Sequence, residues 1–395
     1  MNIALQPLEG RDISVLFVDY LITAAEDEHY GGRPPALYVT AEDIFNIKRY
    51  ERHSLDLPIT LKDLEDRLRL RDSAVSGLTS TDLLQTYQAI NQHARSWSGI
   101  ENSMTTVGLD IESFAESFTL QGSRIIQAVD RMEIIDQFDL TVADLTLDIV
   151  KNTPGNPLSE QDQRIVIRLA EWLENIATTI KEHEQSAKRL ANDIESFANA
   201  LSTVLIPDVK HKTVLARNAG LDKKTRELED DIQRLTGYID ELTAGIKNTR
   251  NNRWWGLFGG LVGFLIADDI TGKQAQELRA RQKDHIDRKA IKVDELRRLN
   301  SLSSAVAELE LNLQNMEYRM ADAQASAKNL QNLWAALAYE ITESAEQLKK
   351  VNNSQELFDF AYYFSSVVKP WANVKNIVAP MLQTYREALE QFNRH

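Results

Sequence analysis

Cysteine is absent from all 395 residues, which excludes disulfides, thiolate metal sites and cysteine nucleophiles at once. Turn formers are scarce: 16 glycines and 9 prolines are too few to punctuate an all-β chain every ten residues or so. No apolar run reaches 18 residues, so no constitutive transmembrane helix is expected. The opening Met1-Asn-Ile-Ala-Leu-Gln-Pro7 lacks the basic and apolar regions of a Sec signal peptide, and the expectation is a protein secreted by lysis or another non-Sec route. Basic charge is in deficit, 45 Lys and Arg against 59 Asp and Glu, so the net charge of -14 argues against nucleic acid, whose phosphates must be neutralised.

The usual enzyme signatures are missing too. His183-Glu184 is followed by Gln185, Ser186 and Ala187, so the second histidine of a zinc-protease helix is lacking. There is no P-loop lysine motif and no Gly-x-Ser-x-Gly elbow, and the seven histidines are scattered singly. The chain is therefore read as a non-enzyme with no catalytic residues, no metal and no cofactor.

What is present is helix. Thr40-Ala-Glu-Asp43, Thr60-Leu-Lys-Asp63, Thr79-Ser-Thr-Asp82, Ser159-Glu-Gln-Asp162 and Asn353-Ser-Gln-Glu356 all have the form of an N-cap box. In each, a side-chain oxygen can accept from an orphan N–H while an acid sits in the positive first turn. One long helical pattern runs over 79–150 and stops at Asn152-Thr-Pro-Gly-Asn-Pro157; the next opens after Ser159, and Pro207 is expected to kink or break it. Leu221, Leu228, Leu235 and Leu242 then recur at sevens, with Ile232, Ile239 and Ile246 at the complementary position. The strongest pattern covers 302–348. Leu302, Leu309, Met316, Ala323, Leu330 and Leu337 alternate there with Val306, Leu313, Met320, Ala327, Trp334, Ile341 and Leu348. At 1.5 Å per residue this is a coiled-coil-like seam roughly 70 Å long.

The fold class expected is all-α: an elongated bundle of long helices with a coiled-coil stalk and an apolar hairpin head. Residues 1–78 hold short helices, 79–220 the long helices of a tail bundle, and 221–299 a two-helix stalk with its head at 254–272. Residues 300–395 form a long return helix and aromatic-rich tail helices. The chain folds back near residue 260, so that 221–246 lies beside roughly 275–299, and 302–348 lies beside the helix before Pro207.

At that fold-back sits Trp254-Trp-Gly-Leu-Phe-Gly-Gly-Leu-Val-Gly-Phe-Leu-Ile-Ala267, a run without charge and with four glycines. Exposed apolar patches of this size mark membrane or partner sites. Trp254 and Trp255 suit the headgroup boundary, and Arg250, Arg253 and Lys273 can meet anionic headgroups. Gly256, Gly259, Gly260 and Gly263 have the small-xxx-small spacing that lets helices approach closely in an apolar medium. Leu257, Phe258, Leu261, Val262, Phe264, Leu265 and Ile266 supply the apolar surface. Fourteen helical residues cover about 21 Å against a hydrocarbon core of about 30 Å, so the tip alone enters one leaflet and does not span. To cross, it must draw in flanks that are polar: 273–292 has few apolar residues besides Leu278, Ile286 and Ile291. Such a helix either lines water in a ring of hairpins or forms a solvated stalk face. Before use the tip must be hidden, against the chain's own helices or in a partner.

With these features the sequence resembles the α-xenorhabdolysin family of binary α-helical pore-forming toxins, most nearly the A component. The likeness is carried by Leu37-Tyr-Val-Thr-Ala-Glu-Asp-Ile-Phe-Asn-Ile-Lys-Arg-Tyr50 and by 254–267. The resemblance implies a subunit that binds a target-cell lipid membrane, recruits a B-type subunit and forms with it a hetero-oligomeric ring. By carry-over, Trp254, Trp255, Leu257, Phe258, Leu261, Val262, Phe264, Leu265 and Ile266 form the head. B components and single-component toxins share this build. The alternative from another class is a coiled-coil scaffold or tether whose tip docks on a protein.

Overall fold

The computed structural model describes residues 40–68, 75–218, 223–257, 260–297 and 301–394, with only the helical course given over most of 247–276. The other residues, among them 37–39 of the N-terminal resemblance, lie outside the described part. Among the described residues every regular element is helical, and the single β contact is a bridge between Pro157 and Asn353. The helices are α1 (Ala41–Leu55), α2 (Leu61–Leu68), α3 (Ser80–Asp130), α4 (Glu133–Asp136), α5 (Leu147–Asn152), α6 (Glu160–Ala200) and α7 (Ile206–Asn218). They are followed by α8 (Lys223–Leu257), α9 (Gly260–Arg297), α10 (Ser301–Leu348), α11 (Ser354–Val368) and α12 (Val374–Arg394).

The five sequence-read caps are present. Thr40 and Asp43 close both arms of a capping box, with Asp43 N donating to Thr40 Oγ1 at 3.1 Å and Thr40 N to Asp43 Oδ2 at 2.9 Å. Thr79 and Asp82 do the same at 3.1 and 3.2 Å. Thr60, Ser159 and Asn353 each accept from the backbone three residues on.

Two helix ends differ from the sequence reading. The pattern over 79–150 does not run through: α3 ends at Asp130 and short turns follow. Asp139 takes φ 52°, Thr141 and Asp144 form a capping box around a 3-10 turn, and Thr146 caps α5, so local side-chain bonds outcompete a continuous helix. Before Pro207, expected to kink or break its helix, the α-helical ladder is interrupted but the helix does not stop. The chain widens into a π-helical turn at Leu201–Leu205 and continues as α7, making room for a ring that would strike the carbonyl one turn back.

The chain divides into two compact units, each made of segments distant in sequence. One takes Met104–Arg189 and Ala327–Gln383. There α3 and α6 run antiparallel, with His183 Nδ1 3.6 Å from Asp110, and α10 returns beside α6 through Lys349 and Glu174. Its centre is aromatic. Phe114 meets Trp334 and Trp371 edge-on at 5.1 and 5.0 Å, and both tryptophans are fully buried. Gly122 lets α11 close on α3: a Cβ there would lie 2.5 Å from Val368 Cγ2. Asp162, though next to its own cap, turns its carboxylate to the N–H groups of Glu133 and Ile134, both at 3.0 Å.

The other unit takes the described residues of Asp27–Ser103, Leu190–Ser326 and Thr384–His395. Here α1 packs on α3 through Tyr50 and His93, 2.7 Å apart, and through Lys48 and Glu101 at 2.9 Å. The seam read over 302–348 is buried at every position except Leu302, which is half-buried. Helix α10 is enclosed on more than that seam, because Ser303, Glu310 and Gln314 are buried as well.

Candidate functional site

The chain reverses between α8 and α9, as the sequence reading has it, and the two helices pack against each other along their length. Gln282 Nε2 donates to Thr243 Oγ1 at 2.6 Å, Lys292 lies 3.5 Å from Asp231, and the rings of Tyr238 and His285 stack 5.1 Å apart. Arg250, Arg253, Trp254, Trp255, Gly256 and Leu257 fall on the last turns of α8. Gly260, Leu261, Val262, Gly263, Phe264, Leu265, Ile266 and Lys273 fall on the first turns of α9. Phe258 and Gly259 lie outside the described residues, as do the side chains of the whole group.

The described part of this hairpin is not free. Lys210 Nζ donates to Asp240 at 2.5 Å, although thirty residues of continuous helix would set them about 45 Å apart. Helix α8 therefore doubles back along α7, and Arg217 with Asp230 makes a second link near the reversal. Helix α9 likewise lies on α10: Lys289 is 3.3 Å from Glu310 and donates to Gln314 at 2.7 Å, and Arg297 reaches Glu308 at 2.9 Å. The described arms thus pack on the chain's own helices, while the side chains of the 254–267 tip lie outside the described residues.

The layer between these four helices is unusually polar. Glu229, Thr236 and Thr243 are buried on α8, Arg279, Gln282 and Lys289 on α9, and Glu310 and Gln314 on α10. Burial lowers the pKa of Lys289 against the pull of Glu310, and burial raises that of Glu229. Ile291, by contrast, is 61% exposed. The sequence readings of 273–292 miss only the buried part of this: Glu277, Arg281, Lys283, Asp284, Asp287 and Arg288 face water as a solvated stalk face would, while Arg279, Gln282 and Lys289 point inward. A signal was available: Glu229, Thr236 and Thr243 recur at sevens, as do Gln282 and Lys289, and Ser303 and Glu310. That is a polar heptad stripe beside the apolar one. The apolar cluster of Leu228, Ile232, Val293, Leu296 and Ala307 takes four of its five members from the hairpin itself.

Among the described residues no helix is long and apolar enough to cross a membrane, and no three His or carboxylate groups gather as metal ligands. No protein-family model matches the chain, and no curated protein matches it in sequence. Solved structures do match. YaxA from Yersinia enterocolitica is 23% identical, with a TM-score of 0.52 over 90% of this chain and 99% of its own. A chain of the YaxAB pore complex is 22% identical, with a TM-score of 0.51 over 90% and 99%. Soluble SmhA, of the tripartite α-pore-forming toxin of Serratia marcescens, is 12% identical, with a TM-score of 0.51 over 98% and 96%. The fold is thus all-α and is that of α-helical pore-forming toxin components.

Proposed function

We propose that this chain is a subunit of a pore-forming cytolysin that binds a target membrane through 254–267 and assembles with a B-type partner into a hetero-oligomeric pore. One conjunction carries the reading: an uncharged run with four glycines falls where two antiparallel helices reverse, in a chain with this fold. The similar structures, a YaxAB pore complex and a component of a tripartite toxin, support a subunit that works with partners. On this reading Trp254 and Trp255 take the headgroup boundary, Arg250, Arg253 and Lys273 meet anionic headgroups, and the apolar residues to Ile266 enter the leaflet. The chain on this reading acts by forming a pore and not by catalysis.

The test is release of an encapsulated dye from liposomes and red cells by the purified chain, with and without a candidate partner. Leakage supports the reading, and dependence on the partner makes the toxin binary. Vesicle binding without leakage leaves a membrane anchor. Neither leakage nor binding returns the chain to a coiled-coil scaffold whose tip docks on protein.

A further inference from the structure

Helix α1 lies along the α9–α10 seam. Near its start Glu42 pairs with Lys283 of α9 at 3.0 Å, and Asp43 pairs with Arg319 of α10 inside the protein. Near its end His53 lies among Arg297 of α9, Glu308 of α10, Asp56 and Arg67, with its Nε2 buried and unbonded. From its other face α1 is keyed into α3 and α6 by one imidazole. His93 is 9% exposed; its Nε2 is 3.0 Å from the carbonyl of Phe197 and its Nδ1 is 2.7 Å from Tyr50 Oη.

The protonation state follows from the partners. A carbonyl only accepts, so Nε2 carries the proton; Nδ1 is then the acceptor and the Tyr50 hydroxyl donates to it. A second proton on Nδ1 would force the Tyr50 hydroxyl to turn from donor to acceptor, and would place a charge where, among the described residues, no carboxylate bonds the ring. The Phe197 ring packs on it, with Trp97 edge-on to Phe197, and Tyr50 is the titratable group that α1 brings to it. At the α1–α3 contact Lys48 is shared between Glu51 of α1, at 2.7 Å, and Glu101 of α3, at 2.9 Å.

We propose that α1 is an acid-released strap: the neutral His93 keeps it seated, and protonation of that ring frees α1 and with it the α8–α9 hairpin. Burial lowers the His93 pKa, with the bond to the Phe197 carbonyl opposing in part. The strap's stability is therefore full above the usual histidine range and is lost as pH falls through it. Burial also lowers the His53 pKa, and there the Glu308 and Asp56 carboxylates are opposed by Arg67 and Arg297, so substitution tells His53 apart from His93.

The test is hydrogen exchange on the full chain without lipid, between pH 7.5 and 5.5 and corrected for the intrinsic rate, so its outcome is independent of the membrane role. Peptides within 228–246 and 278–297 should lose protection several-fold, up to about tenfold, on acidification, while peptides within 104–130 keep theirs. His93→Gln should abolish the change and His53→Gln should keep it. Tyr50→Phe, which removes the donor that favours the neutral ring, should move the midpoint up by about half a unit to one unit. A pH-independent hairpin overturns the proposal. So does an equal acid response in His93→Gln, or, should that variant fail to fold, an unmoved midpoint in Tyr50→Phe.

Discussion

Lys289 and Glu310 face each other 3.3 Å apart with 0% and 1% of their side chains exposed, an ion pair wholly inside the four-helix layer. Removing one member leaves the other desolvated. Glu310→Ala should cost about 3–5 kcal/mol, whereas Lys289→Met combined with Glu310→Leu should fall near or above the parent. Urea denaturation of the three proteins checks this, and equal losses in single and double variants would refute it.

The apolar tip makes the second prediction. Phe258→Asp with Leu261→Asp should abolish vesicle binding and leakage, because each charge in hydrocarbon costs roughly 2–4 kcal/mol. Circular dichroism should be unchanged. Equal loss of helicity would mean that the tip is a core element.

Two glycines on α3 should respond in opposite directions. A Cβ at Gly122 would meet Val368 Cγ2 and Cγ1 at 2.5 and 2.7 Å, and that β-branched side chain has little freedom to turn away. Gly122→Ala should destabilise by about 1–3 kcal/mol. At Gly99 nothing lies within 4 Å, so Gly99→Ala should stabilise by up to about 1 kcal/mol from helix propensity. Melting temperatures of the two variants would be compared with the parent's.

Alkaline pH should weaken the fold through Tyr87. Burial pushes its pKa from 10.0 to about 12, so the folded state holds its proton longer. The contribution is complete below pH 10 and is lost as pH rises toward 12, worth about 2–3 kcal/mol at full loss. Denaturant midpoints at pH 9 and 11 should converge in Tyr87→Phe relative to the parent. A parallel drop in both would exclude Tyr87 as the source.

Much of the helical frame was legible because its signals are local. A threonine three residues before an aspartate names a helix start whatever lies around it, and the stripe from Val306 to Leu348 names a buried face. The reversal between α7 and α8 was not legible, since 219–222 offers a single glycine, Gly220, and no proline. Nor does periodicity alone reveal that α10 is enclosed, because Glu310 and Gln314 look like solvent-facing residues until Lys289 is placed opposite them. The break after Asp130 escaped notice because it depends on Asp139 and the Thr141 box, not on glycine or proline.

The hairpin carries four of the five members of its apolar cluster, and Asp240 and Lys289 link it to Lys210 of α7 and to Glu310 and Gln314 of α10. If the whole hairpin parts from α7 and α10, Lys289 and Glu310 both regain water, unlike the stranded charge of a point variant. Little oil is uncovered in that step, so its heat-capacity change and its urea dependence should be small beside those of global unfolding. Its equilibrium would then run nearly straight against reciprocal temperature, and cooling or warming would shift the docked population only gently.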